Sequence, residues 1–301
     1  MGPDGTPGFH HLHLNSADPA GAVAFYTRWF PGTTATTVAG FPAVRAGRVL
    51  ILVSKRVPSA AVTAYWHFGW HVTSAASAWS RFRAEGAPLA PLHADDGSAV
   101  TFSGEWWPGT LTRSAIAAQR AKGTPPASRG FGYGYLAGPD GARIAFQGDL
   151  PVERLNHVHM FQEQVYCAEL WYARHLHAPL SEAARRSTGR KTDPADCAAP
   201  MGEPSWLSLT PEGTRRTPAG GVQFDDVELN WYQRQGDVPL APSGGGVMDH
   251  VGLRVRDLDG WVARLRREGV RILERPRRFG TGRSARIEGP SREVIELIEE
   301  P

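Results

Sequence analysis

Cysteine is scarce in this sequence: Cys167 and Cys197 are the only two in 301 residues. Two thiols do not make a disulfide framework, although they could meet in space, and a reducing compartment fits. Long apolar runs are missing too, so nothing reads as a bilayer span. The opening residues Met1-Gly2-Pro3-Asp4-Gly5 lack the basic region and apolar stretch of a secretory signal. The expected location is cytoplasmic, with no membrane partner. An excess of one charge is also absent, since 33 Lys and Arg face 30 Asp and Glu. The densest basic group, Arg264, Arg266, Arg267, Arg277, Arg278, Arg283 and Arg286, lies beside acidic residues. It reads as a solvated helix face plus loop, and no nucleic-acid partner is expected. With 41% hydrophobic residues the chain is long enough for two domains of ordinary size.

What the sequence does have is a fourfold repeat. His10-His11-Leu12-His13-Leu14, Trp66-His67-Phe68-Gly69-Trp70, Asn156-His157-Val158-His159-Met160 and Asp249-His250-Val251-Gly252-Leu253 share an alternating pattern, with a histidine in each. In a strand, alternate side chains face opposite ways. Leu12 and Leu14 therefore share one face and His11 and His13 the other. Val158 and Met160 lie opposite His157 and His159, and Val251 and Leu253 opposite His250. A segment that reads as an amphipathic helix follows each time. The first and third helices resemble one another, through Phe25-Tyr26-Thr27-Arg28 and Trp171-Tyr172-Ala173-Arg174. The second and fourth do likewise, through Arg83-Ala84-Glu85-Gly86 and Arg267-Glu268-Gly269. A two-module unit duplicated within one chain explains both likenesses.

The expected fold is α+β: four tandem βαβββ modules paired into two half-barrel domains. The predicted boundaries are 1–150 and 151–301, joined by a short polar segment containing Pro151. Gly138-Pro139-Asp140-Gly141 and Glu288-Gly289-Pro290-Ser291 mark turns before a last strand. Module three departs from the pattern, with an insertion over 179–221 rich in Ala, Arg, Pro, Gly and Thr. It reads as a lid or a mobile surface loop, with one short strand between Pro200 and Leu209.

Metal binding needs several donors converging on one point. In the fourth module Ile295 and Leu297 alternate with Glu296, which points the carboxylate away from the helix side. In the third, Val227 and Leu229 alternate with Glu228 and Asn230. The second domain thus offers His157, Glu228, His250 and Glu296 as metal ligands. The first has His11 and His67, but Ala145 stands where Glu296 would, and Val49-Leu50-Ile51-Leu52-Val53 carries no acid. Two histidines without a carboxylate make a poor site for a hard ion, so the first domain reads as structural or degenerate. His159 is the candidate acid or base beside the site, and Glu228 or Glu296 could also move a proton.

These residues resemble the vicinal oxygen chelate superfamily, the glyoxalase, bleomycin-resistance and extradiol-dioxygenase group. Asp249-His250-Val251-Gly252-Leu253 and Glu296-Leu297-Ile298-Glu299 look like the final module of bacterial glyoxalase I. Glu228-Leu229-Asn230-Trp231 looks like a shortened form of a further segment of that family. The resemblance implies a divalent metal ion (Fe(II), Zn, Ni, Co or Mn) and a small-molecule substrate that chelates it through vicinal oxygens. Four protein ligands would suit isomerase or lyase chemistry, which is slightly favoured. Without Glu228, the remaining two histidines and one glutamate would suit an Fe(II)-dependent dioxygenase. The histidine and tyrosine that extradiol enzymes carry before the ligand glutamate are missing from Arg283-Ser284-Ala285-Arg286-Ile287-Glu288. A third reading is a non-catalytic binding or resistance protein with an aromatic cleft. The chain is expected to act as a monomer or homodimer.

Overall fold

Module one runs through β1 (Gly8–Ser16), a helix (Pro19–Trp29), β2 (Thr33–Val38), β3 (Phe41–Ala46) and β4 (Val49–Lys55). Module two comprises β5 (Tyr65–His71), a helix (Ala75–Ala84), β6 (Leu89–Ala90), β7 (Leu92–Asp95), β8 (Thr101–Gly104), β9 (Trp106–Trp107), β10 (Tyr133–Ala137) and β11 (Arg143–Gln147). Module three follows with β12 (Arg154–Gln162), a helix (Val165–Leu176), β13 (Pro204–Ser205), β14 (Thr214–Arg215), β15 (Ala219–Phe224) and β16 (Val227–Gln233). Module four is β17 (Met248–Arg254), a helix (Leu258–Arg267), β18 (Ile272–Phe279), β19 (Gly282–Glu288) and β20 (Val294–Glu299). This computed structural model describes residues 5–95, 101–104, 106–107, 132–148, 151–181, 197, 200–202, 204–205, 208–209, 213–215 and 217–301.

Local chemistry starts three of the helices. Asp18, Ser74 and Asp257 each accept a hydrogen bond from the amide three residues on, which satisfies a donor the first turn leaves open. Pro19 suits the first helical position because it has no amide hydrogen to satisfy. The expected α+β architecture of strand–helix–strand modules is present throughout.

The modules do not pair as their sequence order suggests. One sheet runs β18-β19-β20-β17-β1-β4-β3-β2, and so joins module four to module one through antiparallel β17 and β1. The other runs β15-β16-β12-β5-β11-β10-β6, with β9 on β10, and joins module three to module two through β12 and β5. Neither sheet belongs to one half of the chain, so the division into 1–150 and 151–301 does not describe the sheets. Their inner faces share one apolar core that contains Leu12, Leu14, Val158, Met160, Val251 and Leu253, as the alternation predicts. Across it Phe30 packs on Trp70 at 4.7 Å between ring centroids, and Tyr26 on Phe68 at 5.9 Å. The Tyr65 hydroxyl donates to the Val294 carbonyl at 2.8 Å.

Cys167 and Cys197 are joined as a disulfide, their Cα atoms 4.8 Å apart. The expectation of a reducing compartment rested on thiol scarcity and loses that support. The short strand expected between Pro200 and Leu209 is β13. The remainder of the 179–221 insertion lies mostly outside the described residues, and with it the lid reading. Among the described residues no helix is long and apolar enough to cross a membrane.

Candidate metal centre

The strand pairing sorts the expected ligands into two places. His250 and Glu296 lie in the first sheet on neighbouring strands β17 and β20, where Gly252 is in register with Glu296. His157 and Glu228 lie in the second sheet, in register with each other on β12 and β16. The four-ligand site of His157, Glu228, His250 and Glu296 is therefore not assembled. In its place, β1 brings His11 to His250 and Glu296, since His11 pairs with Gly252 across the seam. Module one thus places a histidine beside the acid of module four.

Three donor atoms converge in the first sheet. His11 Nε2 and His250 Nε2 are 3.4 Å apart, His250 Nε2 and Glu296 Oε2 3.2 Å, and His11 Nε2 and Glu296 Oε2 3.6 Å. Ligands about 2.1 Å from a common ion lie roughly 3 to 3.4 Å from one another. The residues present thus fit a divalent ion with little movement. All three side chains are buried. In register with His11 on β4 stands Leu50, so that strand offers no fourth donor.

Each donor is held from behind. Asp249 Oδ1 accepts from His250 Nδ1 at 2.6 Å, which holds the ring with Nε2 toward His11 and Glu296. His11 Nδ1 meets His10 Nδ1 at 2.8 Å, and His10 Nε2 meets Glu300 Oε1 at 3.2 Å. A register shift at His10 turns that ring onto the same side as His11, a common role for a bulge near a site. Ser284 Oγ donates to Glu296 Oε1 at 2.9 Å, and Arg286 Nε does so at 3.5 Å. Gly252 makes room for the triad, because a Cβ there would collide with the His11 imidazole.

Titration follows from this packing. Burial, then the neighbouring His250, pushes His11 well below the ordinary imidazole range. Burial acts the same way on His250, but the bonds to Asp249 and Glu296 outweigh it and raise that group. Burial would push Glu296 up, yet His250, His11 and Arg286 together hold its carboxyl far below the usual range. His13 lies over the His250 ring at 4.4 Å with Nε2 on Ser54 Oγ at 2.7 Å. Burial pushes it down to about 3, so it stays neutral.

The second sheet carries a histidine cluster at the corresponding place. Ligand nitrogens of His67, His157 and His159 all lie within 4.8 Å of one another. Burial, then His159, pushes His157 well below its ordinary value. Glu228 Oε2 accepts from Asn230 Nδ2 at 2.8 Å. His159, expected as an acid or base beside Glu296, sits instead across β12–β5 from His67.

Sequence reasoning named His11 but set it apart from His250 and Glu296, and it missed the groups behind the donors. One signal was available: His10, Asn156 and Asp249 are polar residues placed directly before His11, His157 and His250, where the alternation would put an apolar side chain on the core-facing side.

Among curated proteins none matches the chain. Glyoxalase I from Zea mays has a similar structure, with TM-score 0.62 and 13% identity, covering 98% of this chain and 92% of that one. A putative dioxygenase from Bacillus subtilis gives TM-score 0.51 at 11% identity, covering 98% and 86%. At such identities the likeness shows the fold alone. Residues 154–297 match the model described as Glyoxalase/Bleomycin resistance protein/Dioxygenase superfamily. Residues 154–297 therefore carry the likeness to this superfamily, whose members are often metal-dependent enzymes, and the two-sheet fold of the similar structures extends along nearly the whole chain.

Proposed function

We propose that His11, His250 and Glu296 hold a divalent metal ion and that the site acts on a small substrate reaching the ion through two adjacent oxygens. The supporting observation is the convergence of two imidazole nitrogens and one carboxylate oxygen within 3.6 Å of one another. Three protein ligands leave positions for a bidentate substrate. Bound there, the ion would supply Lewis acidity and, as Fe(II), reactivity toward dioxygen.

The chain's own residues orient and enclose. Asp249 and His10 fix the two ring tautomers, and Ser284 with Arg286 ties down the carboxylate oxygen that faces away from the histidines. Phe279 stacks along His11 at 6.1 Å, and Leu50, Leu52 and Ile298 pack around it, which keeps water from that side. Oxygenation is the favoured reaction class. The isomerase or lyase reading drew on Glu228 as a fourth ligand and on an acid free to detach. Glu228 is in the other sheet, and Glu296 is anchored at both oxygens.

Anaerobic reconstitution with Fe(II) or Zn(II), followed by oxygen uptake over catechols, 2-oxo acids and hemithioacetals, tests this. Uptake with Fe(II) that disappears in Glu296→Ala is expected. Turnover with Zn(II) and no oxygen uptake would instead establish isomerase or lyase chemistry. Absence of any bound or stabilising metal would leave a binding protein.

A further inference from the structure

We propose that the second sheet holds a separate divalent-metal site made of three imidazoles, His67, His157 and His159, with an open fourth position. The cluster repeats His11, His13 and His250 of the first sheet, whose nitrogens also lie within 4.8 Å of one another, but without a counterpart of Glu296. Its nitrogens lie within 4.8 Å of one another on paired strands β5 and β12. His67 and His157 are 1% and 3% exposed, so their rings are offered to one another and not to bulk water.

Two features show that His157 is aimed. Asn156 Oδ1 accepts from His157 Nδ1 at 2.9 Å, which places the ring proton on Nδ1 and leaves Nε2 bare. Asn156 stands at a register shift of β12, as His10 does on β1. Gly69 lies in register with His157, and a Cβ there would collide with the His157 ring. A glycine inside a strand weakens it and marks a close approach. Here it seats an imidazole flat across β5, as Gly252 does for His11.

The donor set differs because no acid among the described residues joins the cluster, although Glu228 stands in register with His157. Ala145 occupies the row of Gly69, where the first sheet has Glu296 in the row of Gly252. Glu228 is engaged by Asn230. Three neutral imidazoles suit Zn(II), Ni(II) or Cu(II) more than the hard ions that prefer oxygen. They leave the ion's charge uncompensated, so the fourth ligand is water or a small oxyanion. Three histidines with one open position is a recognised arrangement for zinc that activates water.

Full-length protein stripped with a chelator and titrated with Zn(II) and Co(II) tests the assignment. Metal analysis is expected to give two ions per chain, and Co(II) two distinct visible spectra. His11→Gln/Glu296→Gln should retain one ion with one spectrum, and His67→Gln/His159→Gln one ion with the other. One ion in the wild type, unchanged in His67→Gln/His159→Gln, overturns the proposal. If that double variant fails to fold, His159→Gln alone serves, since this ring is only half-buried. It should weaken the second ion tenfold or more with an unchanged circular dichroism spectrum, and unaltered affinity overturns the proposal equally. Metal loss confined to the His11 variant, with all metal kept when His67 and His159 are replaced, overturns it as well.

Discussion

Asp249 and Glu169 are both buried acids, and their surroundings give them opposite tasks. Asp249 accepts from His250 Nδ1, Asn15 Nδ2 at 2.9 Å and the Gly245 amide at 2.6 Å. It is kept charged so that His250 keeps one tautomer. Asp249→Asn removes that preference while conserving shape, and groups behind a metal ligand typically contribute 10- to 100-fold in affinity. Competitive Zn(II) titration should show a loss of that order at the first centre. Glu169 is 2% exposed on the helix Val165–Leu176. Its Oε1 accepts from the Gly221 amide at 3.1 Å, and Oε2 has no hydrogen-bond partner among the described residues. Burial, only partly offset by that amide, pushes the carboxyl up to about 7. The folded chain therefore keeps a proton that the unfolded chain releases from its ordinary value near 4.5. Its contribution to stability is full at low pH, falls as pH rises through that window, and stays lower above it. A displacement of that size corresponds to roughly 3 kcal/mol at most. The buried histidines act in the opposite direction over the same window, so the test is the difference between the two proteins. Urea unfolding at pH 5 and pH 8 should show Glu169→Gln gaining stability relative to the wild type at pH 8, and a difference that does not change with pH would show that Glu169 ionises freely in the fold.

At the scale of the strand, the glycines opposite the ligand histidines are the most sensitive positions. Gly252→Ala forces the His11 ring aside, and overpacking a filled interior typically costs 1 to 3 kcal/mol. Metal affinity should fall at least tenfold. Gly244→Ala is the control, because its nearest neighbour, Val294 Cγ2, would sit at an ordinary 3.6 Å. If both variants bind metal alike, the close approach at Gly252 has no bearing on the site. These strands also mark how far the sequence could be read. The alternation of Leu12, Val158, Val251 and Ile295 with His11, His157, His250 and Glu296 is a local property of a pleated chain, so the histidine faces were legible. Which strand lies beside which was not. β1 and β12 are near copies, as are β5 and β17, so each can pair with either partner using the same faces. Adjacent elements pair more often than distant ones, and that preference points to the wrong partner for all four modules. Hence Glu228 and Glu296 were grouped with His157 and His250, whereas each sheet receives two ligand-row histidines and one of the acids.

For the molecule as a whole, this exchange of partners changes what holds the chain together. Both seams, β1–β17 and β5–β12, cross the midpoint of the sequence. A protein built as two sequential domains would come apart when its linker is cut. Here each half contributes half of either sheet, and the shared core lies between them, with Phe30 on Trp70 from one half and Tyr65 reaching Val294 of the other. The first centre is split in the same way, with His11 before the midpoint and His250 and Glu296 after it. A protease site introduced at 149–153 should therefore yield two fragments that co-elute as one species in size-exclusion chromatography and separate only in denaturant. The nicked protein should keep the metal at the first centre, since none of its three donors is displaced by the cut. Fragments that elute independently under native conditions, with the ion lost or retained on the later half alone, would mean that modules three and four form a unit by themselves. That result would restore the sequential arrangement and remove His11 from the site.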